Sequence, residues 1–224
     1  MKEASILSQT LVEEGICYRT MQPNDLQTAA ECFAMSFQRE PMVRQLGIQK
    51  EEFIPFALVC CQQAIEQGMG LVAIDENTEE IAGFTILQDA LDEIQFDISA
   101  HQNFLPIFEM LGQLQSKYIA DKKITAYGEV VVSFVTGVHP EYQGTKVAYL
   151  LFGQSLELAK SKDYKKMITE VTGRLSQNGV RRRYAFTPYA SILYREFLFE
   201  GEAMFGNIED QSLSCVLMEK SLLN

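Results

Sequence analysis

The stretch Glu129-Val-Val-Val-Ser-Phe-Val-Thr-Gly-Val138, followed by His139-Pro-Glu-Tyr-Gln-Gly-Thr-Lys-Val-Ala-Tyr-Leu-Leu151, decides the fold. Its first half is an apolar, largely β-branched run. Such a run suits a strand covered on both faces, which places it at the centre of a sheet. His139-Pro140 ends it, and a polar loop with a single glycine follows. From Lys146 to Lys162 the apolar residues Val147, Leu150, Leu151, Leu156, Leu158 and Ala159 recur at helical spacing. Lys166-Met-Ile-Thr-Glu-Val171 reads as the next strand, so the segment is a parallel strand–helix–strand unit. The first turn of a helix carries unpaired N–H groups and a partial positive charge. Gln143-Gly144-Thr145-Lys146-Val147-Ala148 therefore offers a place for a pyrophosphate, with Gly144 allowing the tight backbone and Ala148 leaving room. A plain strand-to-helix turn accounts for the same residues, and the loop alone leaves both readings open.

Working outward, residues 1–14 read as a polar N-terminal arm with one helical turn, and Ile16–Met21 as a short strand. Pro23-Asn24-Asp25 opens a helix reaching Phe37, and Glu40-Pro41 breaks it, because a residue before proline disfavours helical geometry. A second helix spans Lys50–Gln67 and ends at Gly68. Gly70–Asp75 and Ile81–Gln88 form an antiparallel hairpin. Residues 89–126 are polar and then helical, with Leu105, Phe108, Leu111, Leu114 and Tyr118 on one stripe. A short basic helix over Leu175–Tyr184 precedes two last strands, Phe186–Tyr194 and Ser212–Glu219. The order predicts a single α/β domain over residues 1–224, built on a mixed sheet.

Composition narrows the function classes. The 224 residues are 47% hydrophobic and carry a net charge of −11, with a sequence pI near 4.7. An acidic surface argues against nucleic acid and against anionic membrane as partners. The cysteines are Cys17, Cys32, Cys60, Cys61 and Cys215, an odd count without a C-x-x-C pair, and the only histidines are His101 and His139. Neither a disulfide framework nor a Cys/His metal site is expected, and reduced thiols suit the cytoplasm. The sequence shows no signal-peptide pattern and no apolar run long enough to span a membrane.

Val138-His-Pro140 followed by Gln143-Gly144-Thr145-Lys146-Val147-Ala148 resembles the signature of the GNAT superfamily of acetyl-CoA-dependent N-acyltransferases. The strand order fits that family over roughly residues 15–220. The resemblance implies a mostly antiparallel sheet with a central, splayed parallel pair and helices on both faces. It also implies that the loop amides hold the CoA pyrophosphate, and that Thr136, Gly137 and Val138 pair with the pantetheine arm. Lys146 departs from the signature by standing at its first glycine; its ammonium either meets a CoA phosphate or points to solvent.

Phe37-Gln-Arg-Glu-Pro-Met42 with Leu46-Gly47 is similar to the F-x-x-E-P segment of insect-type arylalkylamine N-acetyltransferases. So is the tail, with Tyr194-Arg-Glu-Phe197, Gly201-Glu202, Phe205 and Ser214–Lys220. By that resemblance Glu40 is the general base, acting through water, and Thr172 and Ser176 move a proton to the leaving thiolate or orient the amine. As residues alone, Thr172 and Ser176 read equally as helix N-caps. Tyr184 is the nearest candidate for a general-acid tyrosine, and Glu129 is a second base candidate or a solvated strand-end charge. Phe37, Phe53, Phe104 and Phe108 are candidates for an aryl pocket, and 89–126 for an insertion over the acceptor cleft. Arg181-Arg182-Arg183 either meets the CoA 3′-phosphate or is a solvated helix face. The expected activity is acetyl transfer from acetyl-CoA to a small, arylalkyl primary amine by direct attack in a ternary complex, without a metal. The alternatives are a non-catalytic acyl-CoA-binding module and an acetyltransferase for protein N-termini or lysines.

Overall fold

The computed structural model describes residues 10–92, 94, 96–97, 101–208 and 213–223. Among them the strands are β1 (Leu11–Glu13), β2 (Ile16–Thr20), β3 (Gly70–Asp75), β4 (Ile81–Asp89), β5 (Val130–Val138), β6 (Lys166–Val171), β7 (Thr187–Leu193) and β8 (Ser214–Ser221). The α-helices are α1 (Leu26–Phe37), α2 (Pro41–Leu46), α3 (Lys50–Gln67), α4 (Leu105–Lys122), α5 (Val147–Ser161) and α6 (Arg174–Tyr184). The strands form one eight-stranded sheet in the order β1-β2-β3-β4-β5-β6-β8-β7. Only β5 and β6 pair in parallel; every other neighbouring pair is antiparallel.

The unbroken apolar run of β5 does lie at the sheet centre, and two apolar layers cover its faces. One layer packs α1, α3 and α4 on the sheet through Phe33, Phe56 and Met110. The other packs α5 through Leu151, Phe152 and Leu156. Cys60 and Cys61 are core residues of the first layer. All five cysteines are free, and among the described residues no helix is long and apolar enough to cross a membrane.

Two elements differ from the sequence expectation. Leu11–Glu13 is a strand that pairs with β2 across Glu14-Gly15, where an arm was expected; the helical turn expected earlier in that arm falls on residues 1–9, outside the described residues. Three residues are too few for a period-2 pattern to show, which hid this strand. Glu40-Pro41 not only ends α1 but starts α2, with Glu40 as N-cap and Pro41 in the first turn. Proline restricts the residue before it and is also at home at the first helical position, so one dipeptide serves both roles.

The feature that positions the site is a bulge. In the β4–β5 ladder Ile86 opposes Val135 but Leu87 opposes Ser133, so Phe134 is an extra residue on β5. The bulge flips the side-chain phase. Val130 and Val132 face the α1–α3–α4 layer before it, whereas Val135 and Gly137 face that layer after it. A bulge bends and twists its strand. The parallel register with β6 runs through Val130–Lys166, Val131–Met167 and Val132–Ile168 and ends there. Beyond this point β5 continues to Val138 with its β6-facing edge open.

Gly137 fits this bend for a steric reason. A Cβ there would lie 2.3 Å from the Phe84 ring and 2.3 Å from Ser36 Oγ. We expect Gly137→Ala to cost about 2–3 kcal/mol through overpacking. Thermal unfolding of the variant then shows a fall in Tm of about 5–10 °C; an unchanged Tm contradicts this packing account.

Candidate active site

Where β5 and β6 part, a cleft of about 460 Å³ opens. Its apolar wall is a cluster of rings: Phe33, Phe37, Phe53, Phe56, Phe104 and Phe108. Neighbouring rings lie in contact, with centroids 5.7 Å apart for Phe33–Phe53 and 4.9 Å for Phe53–Phe104. α4 supplies Ile107, Phe108 and Leu111. It is tied to the sheet by Tyr118, which donates to Glu219 at 2.8 Å, and by Lys122, which reaches the same carboxylate at 3.1 Å. The aromatic residues expected to receive an aryl group therefore do line one cavity, and the segment holding α4 forms one of its walls.

Glu40, Thr136, Gly137, Val138, Gln143, Ala148, Thr172 and Ser176 all reach this cleft. Glu40 Oε2 accepts the Val43 N–H at 2.8 Å, which fixes its carboxylate at the start of α2. Thr172 lines the cleft by its side, while its carbonyl accepts the Tyr194 hydroxyl at 2.7 Å. Ser176 donates to the Gly173 carbonyl at 2.8 Å. Gly173, not Thr172 or Ser176, is the N-cap of α6, so the capping reading of both hydroxyls is corrected. Glu129 accepts the Ala126 N–H at 3.1 Å at the far end of β5 and does not line the cleft. Tyr184 donates to the Tyr149 carbonyl and stacks on the Tyr149 ring. It lies outside the cleft, and no tyrosine lines it. Of the three arginines, Arg183 sits over the Tyr149 ring at 4.8 Å, and none lines the cleft.

The loop answers for its single glycine. Gly144 has φ +82°, a left-handed geometry that glycine adopts without penalty. Lys146 has φ −77° and ψ −6°, an ordinary right-handed backbone, so no glycine is needed there. Lys146 is the N-cap of α5 and contributes no capping side chain. Thr145 Oγ1 accepts the Val147 N–H at 3.3 Å, and the Val147 side chain is buried against the sheet. Gly144, Thr145, Lys146 and Val147 sit beyond the cleft, at its mouth. The Lys146 ammonium is neither free in solvent nor aimed into the cleft: it pairs with Glu14 and, at 3.5 Å, with Glu13 of the β1–β2 hairpin. Arg39 donates to Gln143 Oε1 at 2.7 Å beside this loop. Among the described residues, no group of three His, Cys, Asp or Glu side chains is placed to hold a metal ion.

One cleft residue escaped the sequence reading. Glu170 on β6 lines the cavity just past the last β5–β6 pair. Its Oε1 is enclosed and makes no hydrogen bond among the described residues. Burial lifts its carboxyl from 4.5 to about 7, partly offset by a bond from its own backbone N–H. The available signal was a glutamate on the inner strand of a parallel pair, where both faces are covered.

With sequence alone, no family model matches the chain and no curated protein matches it. Solved structures do. The C-terminal condensation domain of Ebony, in complex with beta-alanyl-dopamine, superposes with a TM-score of 0.82 at 19% identity, over 92% of this chain and 98% of that one. Arylalkylamine N-acetyltransferase 2 from Aedes aegypti does so at 0.76 and 19%, over 94% and 100%. YncA from Salmonella typhimurium, a putative acetyltransferase with acetyl-CoA, does so at 0.53 and 12%, over 94% and 96%. The fold is that of the GNAT N-acetyltransferases.

Glu170 also leaves a thermodynamic mark. Its carboxyl holds a proton more tightly folded than unfolded. Between pH 4.5 and about 7 the unfolded chain therefore binds fewer protons, and stability falls as pH rises through that window. We expect Glu170→Gln to remove this fall. Its stability relative to the unsubstituted protein rises by about 2–3 kcal/mol between about pH 5 and pH 8. Denaturant unfolding at the two pH values measures the difference, and parallel curves for the two proteins contradict it.

Proposed function

We propose that this chain transfers the acetyl group of acetyl-CoA to the primary amine of a small, arylalkyl acceptor. One observation carries the reading: the open edge of β5, the N-terminus of α5 and an aromatic cleft holding carboxylates all meet at one opening. The residues present fit the donor. Beyond Ser133, whose carbonyl accepts the Thr169 hydroxyl at 3.1 Å, the β6-facing edge of β5 has no ladder partner and offers backbone groups to an extended amide-bearing arm, as a neighbouring strand would. Past it, the first turn of α5 and the left-handed Gly144 present amides to a pyrophosphate. The donor supplies an acyl carbon activated as a thioester.

The chain's own groups account for the rest. An alkylamine is protonated at neutral pH and cannot attack, so a carboxylate must take a proton from it. Glu40, held by the Val43 N–H at the cleft wall, is the base that the family resemblance supplies, acting through water. A β5 backbone N–H near Val138 stabilises the oxygen that becomes negative. The ring wall holds the acceptor's apolar part against the reacting carbon, which removes much of the entropic barrier. Thr172 orients the amine or passes a proton on. Five free thiols support a reducing, cytoplasmic setting. The non-catalytic reading rested on Lys146, and the right-handed backbone of that residue leaves the loop geometry intact. A cleft walled by α4 and the ring cluster favours a small acceptor over a protein chain.

Incubation with acetyl-CoA and a panel of amines should release CoA only with amines bearing an apolar or aryl group; no release with any amine sinks the proposal. Glu40→Gln keeps the oxygen that accepts the Val43 N–H, so its Tm stays near that of the unsubstituted protein while kcat/KM falls by about 10²–10³. Lys146→Ala is expected to raise the Kd for CoA several-fold at low salt, with the difference shrinking as salt rises. Equal Kd values for both proteins across salt would exclude Lys146 from the phosphate site.

A further inference from the structure

The acceptor end of the cleft holds two carboxylates where the family resemblance nominates one. Glu40 enters from the start of α2 and Glu170 from β6. Both bear electrostatically on the buried thiol of Cys215 on β8, which is pushed up by burial first and then by these two charges. Both therefore lie near Cys215 and line the same cleft. Extending the parallel register by two residues from the Val132–Ile168 pair brings Glu170 level with the Phe134 bulge, where the strands part. Among the described residues, no cation counters the charge of Glu170. The basic residue lining the cleft is Arg39, at the mouth and bonded to Gln143. Glu170 bears on Cys215 of β8 and shares the lining of the cleft with Glu40 at the start of α2, with Ser133 and Phe134 of β5 and with Phe108 and Leu111 of α4.

An enclosed carboxyl oxygen without a hydrogen-bond partner, on a strand facing an aromatic cavity, costs stability unless something binds it. A cation with N–H donors answers both its charge and its missing bond. We propose that Glu170 is a second catalytic carboxylate, which binds the ammonium head of the acceptor amine and takes one proton from it.

This rests on the acyl-transfer reading and completes its proton balance. An ammonium has three N–H bonds and the amide product has one, so two protons leave the nitrogen. Glu170 receives the first: the N–H electron pair stays on nitrogen and becomes the pair that forms the C–N bond. Glu40 receives the second through water as that bond forms. The C–S electron pair leaves with the sulfur, to which Glu170 returns its proton, and Glu40 returns the other to solvent. Both carboxylates end as they began. Glu170 suits this duty because burial raises its carboxyl to about 7, so near neutral pH part of it still holds a proton in the empty cleft, which an arriving ammonium displaces.

The arrival of an amine should therefore expel a proton, which can be read without any turnover. Phenethylamine binding to the CoA-free protein is followed by calorimetry near pH 7 in buffers of different ionisation enthalpy. The unsubstituted protein is expected to release up to one proton per amine bound, falling towards zero well above neutral pH, where Glu170 is already ionised. Glu170→Gln should bind the amine about tenfold more weakly or worse and release no proton. Glu170→Asp should restore part of both. Equal proton release by the unsubstituted protein and Glu170→Gln overturns the proposal, as does loss of release in Glu40→Gln alone. Should Glu170→Gln misfold by circular dichroism, the carboxylic-acid C=O band in infrared difference spectra of the unsubstituted protein decides: it disappears on amine addition if Glu170 ionises, and its persistence overturns the proposal. Acyl transfer is assayed separately. Proton release without turnover would defeat the acetyltransferase reading and leave the ammonium site standing, whereas turnover without proton release does the reverse.

Discussion

Everything at the site follows from the parallel pair β5–β6 being held together over only three registered positions, with its last pair at Val132 and Ile168. A sheet centre is the costliest place to leave backbone groups unpaired, since buried N–H and C=O groups without partners forfeit a hydrogen bond each. The Phe134 bulge turns that cost into an opening. It bends β5 away from β6 while β4 keeps β5 paired on the other edge as far as Val138, opposite Gly83. The open edge then needs a ligand that looks like a strand, and the space beside it needs a lining. The chain supplies the lining from the other end of its sequence, by rings on α1, α3 and α4 that close over the gap.

The parts of the fold that could be read from residues are those where one pattern admits one environment. β5 shows an apolar run with no polar alternation, and only a doubly covered strand suits it. α3 runs from Lys50 to Gln67 with Gly68 left-handed behind it, as a glycine stop predicts. The parts that stayed hidden are those where one pattern admits two. Glu40-Pro41 is a helix stop and also a helix start, and the second role is what anchors the Glu40 carboxylate. Thr172 and Ser176 have the residue types of caps, yet Gly173 between them takes the cap because its backbone, not its side chain, has the extended geometry needed.

Glu170 illustrates the hidden part most clearly. In Lys166-Met-Ile-Thr-Glu-Val171 a single glutamate near a strand end reads as an outward charge, because strand ends commonly reach solvent. Whether that end reaches solvent or a cavity depends on where the neighbouring strand bends. That bend depends on a bulge more than thirty residues upstream, which local periodicity does not reveal. The aromatic residues carried the opposite ambiguity: Phe33 and Phe56 are core and cleft wall at once, since a ring has two faces.

The opening also sorts charge. Its outer end, around Gly144, has the α5 N-terminus and Arg39, with Lys146 turned to Glu13 and Glu14; its inner end has Glu40 and Glu170. A polyanionic donor and a cationic acceptor would enter one cavity from sides of opposite potential, so each is attracted to its own end and repelled from the other's. The protein's net charge of −11 assists the cation and works against the anion. That asymmetry gives the Lys146 ion pairs a physical meaning. Glu13 and Glu14 hold a flexible ammonium beside the loop, and while they do so their own charge offsets it. The contact is exposed and cheap to break, so exchanging two carboxylates for a phosphate costs little. The local charge at the loop, rather than the net charge of the molecule, then governs whether an anion can settle there.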